Sequence, residues 1–165
     1  MLAVVFAFCF LGTISQAQIN ITVLGTFNYP GATETTSTIP YGINDQGDVV
    51  GTFTDAALKD FAFVRYADGT FSPLITEPND TANYTQGRGI NNSGTICGNY
   101  MGSDGQLHGF FRIGETFSEY DYPDAPTTEV FGINDAGDFV GSFGFETAFV
   151  SIRGTARPVL PQFFG

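Results

Sequence analysis

The chain has 165 residues, with 17 Asp plus Glu against 6 Lys plus Arg and a formal net charge of −11. That charge repels polyphosphate and anionic membrane surfaces, which excludes nucleic-acid binding and adsorption to acidic lipid as modes of action. The length is that of one domain, 18 Phe and 7 Tyr can fill a real core, and the absence of Trp argues against an aromatic platform for sugar stacking, although Tyr can serve.

Residues 1–17 open with an apolar run from Met1 to Leu11, followed by Gly12-Thr-Ile-Ser-Gln-Ala17. Small residues at Ser15 and Ala17 fit a signal-peptidase site before Gln18, without the usual cationic n-region. The run is too short to span a membrane. The alternative is a retained strand with Val4, Phe6, Phe8 and Phe10 on one face, able to fill a groove in a neighbouring copy. Residues 18–165 then form a single β-repeat domain.

Within that domain a twelve-residue phrase returns three times: GINDQGDVVGTF from Gly42, GINNSGTICGNY from Gly89 and GINDAGDFVGSF from Gly132. The starts lie 47 and 43 residues apart, the mark of one supersecondary unit used three times. In each phrase the Asn-(Asp/Asn)-x-Gly step reads as a type I turn, with Gly47, Gly94 and Gly137 at positive φ. An alternating aromatic strand follows (Asp60–Arg65, His108–Ile113, Thr147–Ile152), then a turn and a third short run ending at Pro78 or Pro123.

Counting gives about four short antiparallel strands per unit, with repeats at about 22–70, 71–116 and 117–160. No segment carries a helical period, and the runs are rich in Val, Ile, Phe, Tyr and Thr. The fold class is all-β, in propeller-blade-like units. Closed propellers have about four to eight blades, so three units leave a ring open or completed by a neighbouring subunit. The tail Gly154-Thr-Ala-Arg-Pro-Val-Leu160 aligns with Gly69-Thr-Phe-Ser-Pro-Leu74 and reads as the first strand of a fourth unit that lacks a partner.

Gly-Ile-Asn-(Asp/Asn)-x-Gly, a following strand of the His108-Gly109-Phe110 kind and a Tyr-Pro-(Gly/Asp)-Ala turn together resemble the extracellular repeat proteins of the HAF type found in environmental bacteria. The resemblance spans Thr22 to Leu160, and only the middle unit keeps the His-Gly-Phe step. It implies secretion and a β-repeat fold, and it implies no chemistry.

No catalytic set emerges, and the protein reads as a non-enzyme. His108 is the single histidine, which leaves no Ser-His triad or His-based metal site within one chain; it reads as a strand-end surface residue. Cys97 occupies the place of Val50 and Val140 and reads as a small buried hydrophobe, and a disulfide to Cys9 would need the leader retained. Asp45 and Asp48 recur as Asp135 and Asp138, whereas the middle unit has Asn92 and Thr95. Repetition of that kind suits turn chemistry, with calcium as the candidate ion because the loop offers several hard oxygens; no other cofactor is implied. Acceptor sequons at Asn20, Asn79 and Asn83 are candidate glycosylation sites, and the one at Asn91 lies in the recurring turn.

The reading is a secreted structural protein that self-assembles, a filament subunit joined by strand pairing between subunits through Phe6, Phe8 and Phe10 at one end or Val159 and Leu160 at the other. The alternative is an extracellular binding module that recognises a saccharide or a protein on its loops.

Overall fold

The computed structural model describes residues 25–144 and 147–159, and every regular element among them is a strand. The strands are β1 (Ser37–Ile43), β2 (Val49–Thr54), β3 (Asp60–Arg65), β4 (Gln86–Ile90), β5 (Ile96–Met101), β6 (Leu107–Ile113), β7 (Thr116–Tyr120), β8 (Thr128–Ile133), β9 (Phe139–Phe143), β10 (Thr147–Ile152) and β11 (Thr155–Pro158). They form three antiparallel sheets in chain order, β1 to β3, β4 to β7 and β8 to β11. The first sheet has no full fourth strand. Pro73 interrupts the run that would supply it, and only bridges from Arg65 to Phe71 and from Ala62 to Ile75 remain.

Two expectations change here. The run after each third turn pairs with its own sheet and does not open the next one, so the repeat boundary at 71 falls at the start of the bridging run and the one at 117 falls inside β7. The tail is therefore no orphan: Arg157 pairs with Val150 and Pro158 with Phe149. A two-residue turn at Arg153 and Gly154, with φ of 52° and 75°, folds β11 back onto β10. Val159 continues the contact, its N–H donating to the Ala148 carbonyl at 2.8 Å.

The repeated phrase has a local cause at each position. Asn44, Asn91 and Asn134 accept the backbone N–H four residues on (Asp48, Thr95, Asp138) with Oδ1, at 2.9 Å in all three. Gly47, Gly94 and Gly137 complete the reversal at φ of 88°, 78° and 79°, where a Cβ would be strained. The phrase's third glycine answers a different demand. Each first strand carries a bulge, between Pro40 and Gly42, Gly87 and Gly89, or Val130 and Gly132. The bulge presses a carbonyl (Ile39, Gln86 or Glu129) onto Gly51, Gly98 or Gly141, while Phe63, Phe110 or Phe149 covers the other side.

The sheets stack face on face. Val50, Ala62, Val64 and Ile75 from the first sheet and its bridging run form one buried cluster with Ile90, Ile96, Tyr100 and Phe110 of the second. Phe111 and Tyr120 of the second each meet Phe139 of the third at 4.8 Å between ring centroids. The first strands approach closest, through glycine: a Cβ on Gly42 would lie 3.2 Å from the Gly89 Cα, and one on Gly89 would lie 2.9 Å from the Gly132 Cα. A threonine hydroxyl ties the preceding segment to each sheet, accepting Tyr29 N–H at Thr38 (3.1 Å), Glu77 N–H at Thr85 (3.0 Å) and Tyr122 N–H at Thr128 (2.8 Å).

Ile43, Ile90 and Ile133 hold equivalent register, opposite Val49, Ile96 and Phe139. Their burial is unequal although the sequence context is the same: Ile43 is 68% exposed, Ile90 is 7% exposed and Ile133 is half-buried. The reason is order in the stack. Ile90 and Ile133 face a preceding sheet, and among the described residues Ile43 has none.

Two of the three asparagines also reach the next sheet. Asn44 Nδ2 donates to the Asn91 carbonyl at 3.3 Å and Asn91 Nδ2 to the Asn134 carbonyl at 3.2 Å; Asn44 Nδ2 also donates to its own Asp48 at 3.4 Å, the bond that Asn134 Nδ2 makes to its own Asp138 at 3.3 Å. Asn91→Ala is predicted to destabilise by about 1–3 kcal/mol or more, because it strands buried amide and carbonyl groups. Asn134→Ala should cost distinctly less. Urea unfolding midpoints of the two variants check the difference, and equal losses would contradict the cross-sheet role.

Candidate functional site

The two ends of the stack carry the chemistry of its interior interfaces without the partner sheet. Val50, Cys97 and Val140 occupy one repeat position. The first two are fully buried under the following sheet, whereas Val140 is 47% exposed. Pleat alternation places Ser142, Ala148, Val150 and Ile152 on the same outer face of the third sheet as Val140. A Cβ on Gly132 would meet only its own Val140, at 3.6 Å, whereas the corresponding glycines each meet the next sheet. At the opposite end, Ile43 is the exposed counterpart of Ile90. Tyr29 covers the rest of that face, with ring centroids 4.9 Å from Phe53 and 5.8 Å from Phe63, as Tyr122 covers Phe143 at 3.8 Å and Phe149 at 5.3 Å.

The turn carboxylates line the same edge. Asn92 sits between Asp45 and Asp135: its Nδ2 donates to Asp45 Oδ2 and to Asp135 Oδ2, each at 2.7 Å. The backbone repeats the link, Asp45 N–H donating to Asn92 Oδ1 and Asn92 N–H to Asp135 Oδ1, both at 2.7 Å. Asp48 and Asp138 point elsewhere and hold the next hairpin, accepting Ala67 N–H and Arg153 N–H at 2.9 Å. The Arg153 and Asn134 donors keep the Asp138 carboxyl below its usual range. Each of the four carboxylates named for calcium thus has a hydrogen-bonding role in its turn. None belongs to the group of three closely spaced metal-ligating side chains found among the described residues.

That group is His108, Glu119 and Asp121, with ligand atoms within 4.8 Å of one another. Counting histidines alone missed it. Register brings it together, since β6 pairs Gly109 with Tyr120 and so sets Glu119 and Asp121 on either side of the strand end that carries His108. His108 stacks on Tyr100 at 5.4 Å, bonds through Nδ1 to Asp121 at 3.0 Å and through Nε2 to Asp104 at 3.2 Å. Tyr100 donates its hydroxyl to Glu119, and burial together with that carboxylate pushes the phenol well above its usual range. Glu77 takes the place that Tyr29 and Tyr122 hold elsewhere; burial raises its carboxyl, partly opposed by the Asn79 N–H and reinforced by Glu119 and Asp80. One imidazole and two exposed carboxylates can ligate a divalent cation.

The remaining residues singled out in the sequence are dispersed. Asn79 is exposed, and its N–H donates to the Glu77 carboxylate at 2.6 Å. Asn83 is half-buried with φ of 55°, and the threonine of its sequon, Thr85, is fully buried. Cys97 is buried, which pushes its thiol up to about 12. Val159 is half-exposed. Phe6, Phe8, Phe10, Cys9, Asn20 and Leu160 lie outside the described residues. No protein-family model matches the chain, and no curated protein matches it.

Burial alone would lower the His108 pKa, but the hydrogen bonds to Asp121 and Asp104 outweigh it and raise the value above the ordinary 6.5. The folded state therefore holds the proton more tightly than the unfolded chain. The corresponding stability is present in full below the unfolded pKa and is lost as pH rises through the raised folded value. The wild-type melting temperature should fall across that window, and His108→Gln should flatten the fall. A profile unchanged by the substitution would contradict the assignment.

Proposed function

We propose that the protein is a secreted, non-enzymatic structural protein whose propeller-blade-like sheets continue from one copy into the next. The observation that carries this reading is the pair of unsatisfied ends: Val140 and Gly132 at one end and Ile43 at the other repeat buried interface positions in exposed form. Fully burying an aliphatic side chain of this kind contributes about 1.5–3 kcal/mol, so a few such positions weigh substantially against the loss of freedom on association. The joint moves from strand edges to sheet faces, because the C-terminal run already has its partner within the chain. The leader-like residues 1–17 and the resemblance to HAF-type repeats support an extracellular location. No helix among the described residues is long and apolar enough to cross a membrane.

A binding module for a saccharide or protein is the second reading. Two similar grooves favour it, one of about 360 Å³ between the first and second sheets beside Ile75, Ile90 and Phe117, and one of about 400 Å³ between the second and third beside Phe111, Ile133 and Phe139. Both are of ligand size.

Sedimentation velocity over a wide concentration range decides between them. The wild type should gain mass with concentration above the 17.7 kDa monomer, and Val140→Asp, which sets an unpaired charge on the outer face, should remain monomeric while keeping its fold. A wild type that stays monomeric throughout, with a saccharide bound in either groove, would establish the second reading.

A further inference from the structure

Resting on the assembly reading, we infer that the outer face of the third sheet docks on the first sheet of a second copy in the register of the in-chain interfaces, and that an Asp135–Asp45 contact at this junction opposes the docking. The partner is a second copy because the missing half of each end is present at the other. Where the first sheet meets the second, Gly42 and Val50 lie against Gly89, Ile90 and Ile96. At the junction Gly132 and Val140 take the places of Gly42 and Val50, and the second copy's Gly42, Ile43 and Val49 take the places of Gly89, Ile90 and Ile96. The asparagine series continues as well. Asn134 Nδ2, which has no cross-sheet carbonyl among the described residues, would reach the Asn44 carbonyl of the second copy as Asn91 reaches that of Asn134. Such a contact is heterologous: used twice it closes a pair of copies into a ring of six sheets, and left open it grows a filament.

The turn series does not continue so smoothly. Inside the chain the order is Asp45, Asn92, Asp135, and the Asn92 amide separates the two carboxylates by donating to both. At the junction the next residue after Asp135 is Asp45 of the second copy, with no amide between them. Two acceptors then meet at a spacing that a donor fills within the chain, and like charges in contact repel. The rule that favours assembly at the apolar positions is broken at one polar position, which sets how readily copies join. The repulsion is short-ranged and screened, so added salt should tighten association despite the modest apolar area.

The test is Asp135→Asn in the full chain, which restores at the junction the amide that Asn92 supplies inside. Glu115→Gln, an exposed carboxylate of the second sheet paired only with Arg112, controls for the same loss of net charge. Sedimentation equilibrium should give Asp135→Asn a dissociation constant roughly tenfold tighter than wild type, with a weaker response to salt, and Glu115→Gln a value near wild type. Equal tightening by both substitutions would overturn the junction, leaving only a global charge effect. An associating wild type that Asp135→Asn does not tighten would overturn it too, while the assembly reading stood. If both remain monomeric at every concentration, the junction and the assembly reading both fall.

Discussion

One primary amide holds this architecture together, used at Asn44 and again at Asn91. Its oxygen closes the local turn and its nitrogen grips a carbonyl of the next sheet, so the conformation of each turn and the position of the following sheet are one event. Aspartate could close the turn but lacks the donor. Alanine could do neither. The neighbouring glycines are the second half of the constraint, because the donor reaches across only if the first strands approach until the Gly89 and Gly132 backbones nearly touch. Aromatic packing then fills the wider outer part of each interface, through Phe110 against the first sheet and Phe111 against the third. That division of labour, polar and tight at one edge and apolar and broad behind it, explains why Gly-Ile-Asn recurs with so little variation while the residues behind it drift among Val, Cys, Ile and Phe.

Much of this was legible in the letters. The threefold phrase, the all-β character and the turn at Asn-(Asp/Asn)-x-Gly follow from spacing and propensity alone. What spacing could not convey is which neighbour a strand joins. Thr155–Pro158 and Thr116–Tyr120 look the same whether they end one unit or begin the next, and only the tight reversals at Arg153-Gly154 and Gly114-Glu115 fold them back onto the preceding strand. Ile43 shows a related limit: its sequence context equals that of Ile90, and its exposure depends on whether a sheet precedes it. The His108 group was hidden for a third reason. Its members come from two strands and a following loop, and register, not sequence proximity, places the imidazole beside Asp121.

The same logic relates stability to association. A stack of like units gains one interface for each unit added, and the terminal units lack one face each. Capping repeats in such arrays carry a polar outer face; the outer faces of the described stack instead keep Val140 and Ile152 on one side and Ile43 on the other. In the proposed assembly the net charge of −11 would work against joining at long range, and an Asp135–Asp45 contact between copies would work against it at short range.

Cross-linking of two marked copies tests the central claim most directly. In a Cys9→Ser background, where Cys97 is buried and its thiol raised too far to react readily, one preparation carries Ile43→Cys and the other Val140→Cys. A short bifunctional maleimide should join the two when they are mixed, and should leave either preparation alone largely uncoupled, because the contact runs head to tail. Equal coupling within each single preparation, or none in the mixture, would contradict the account.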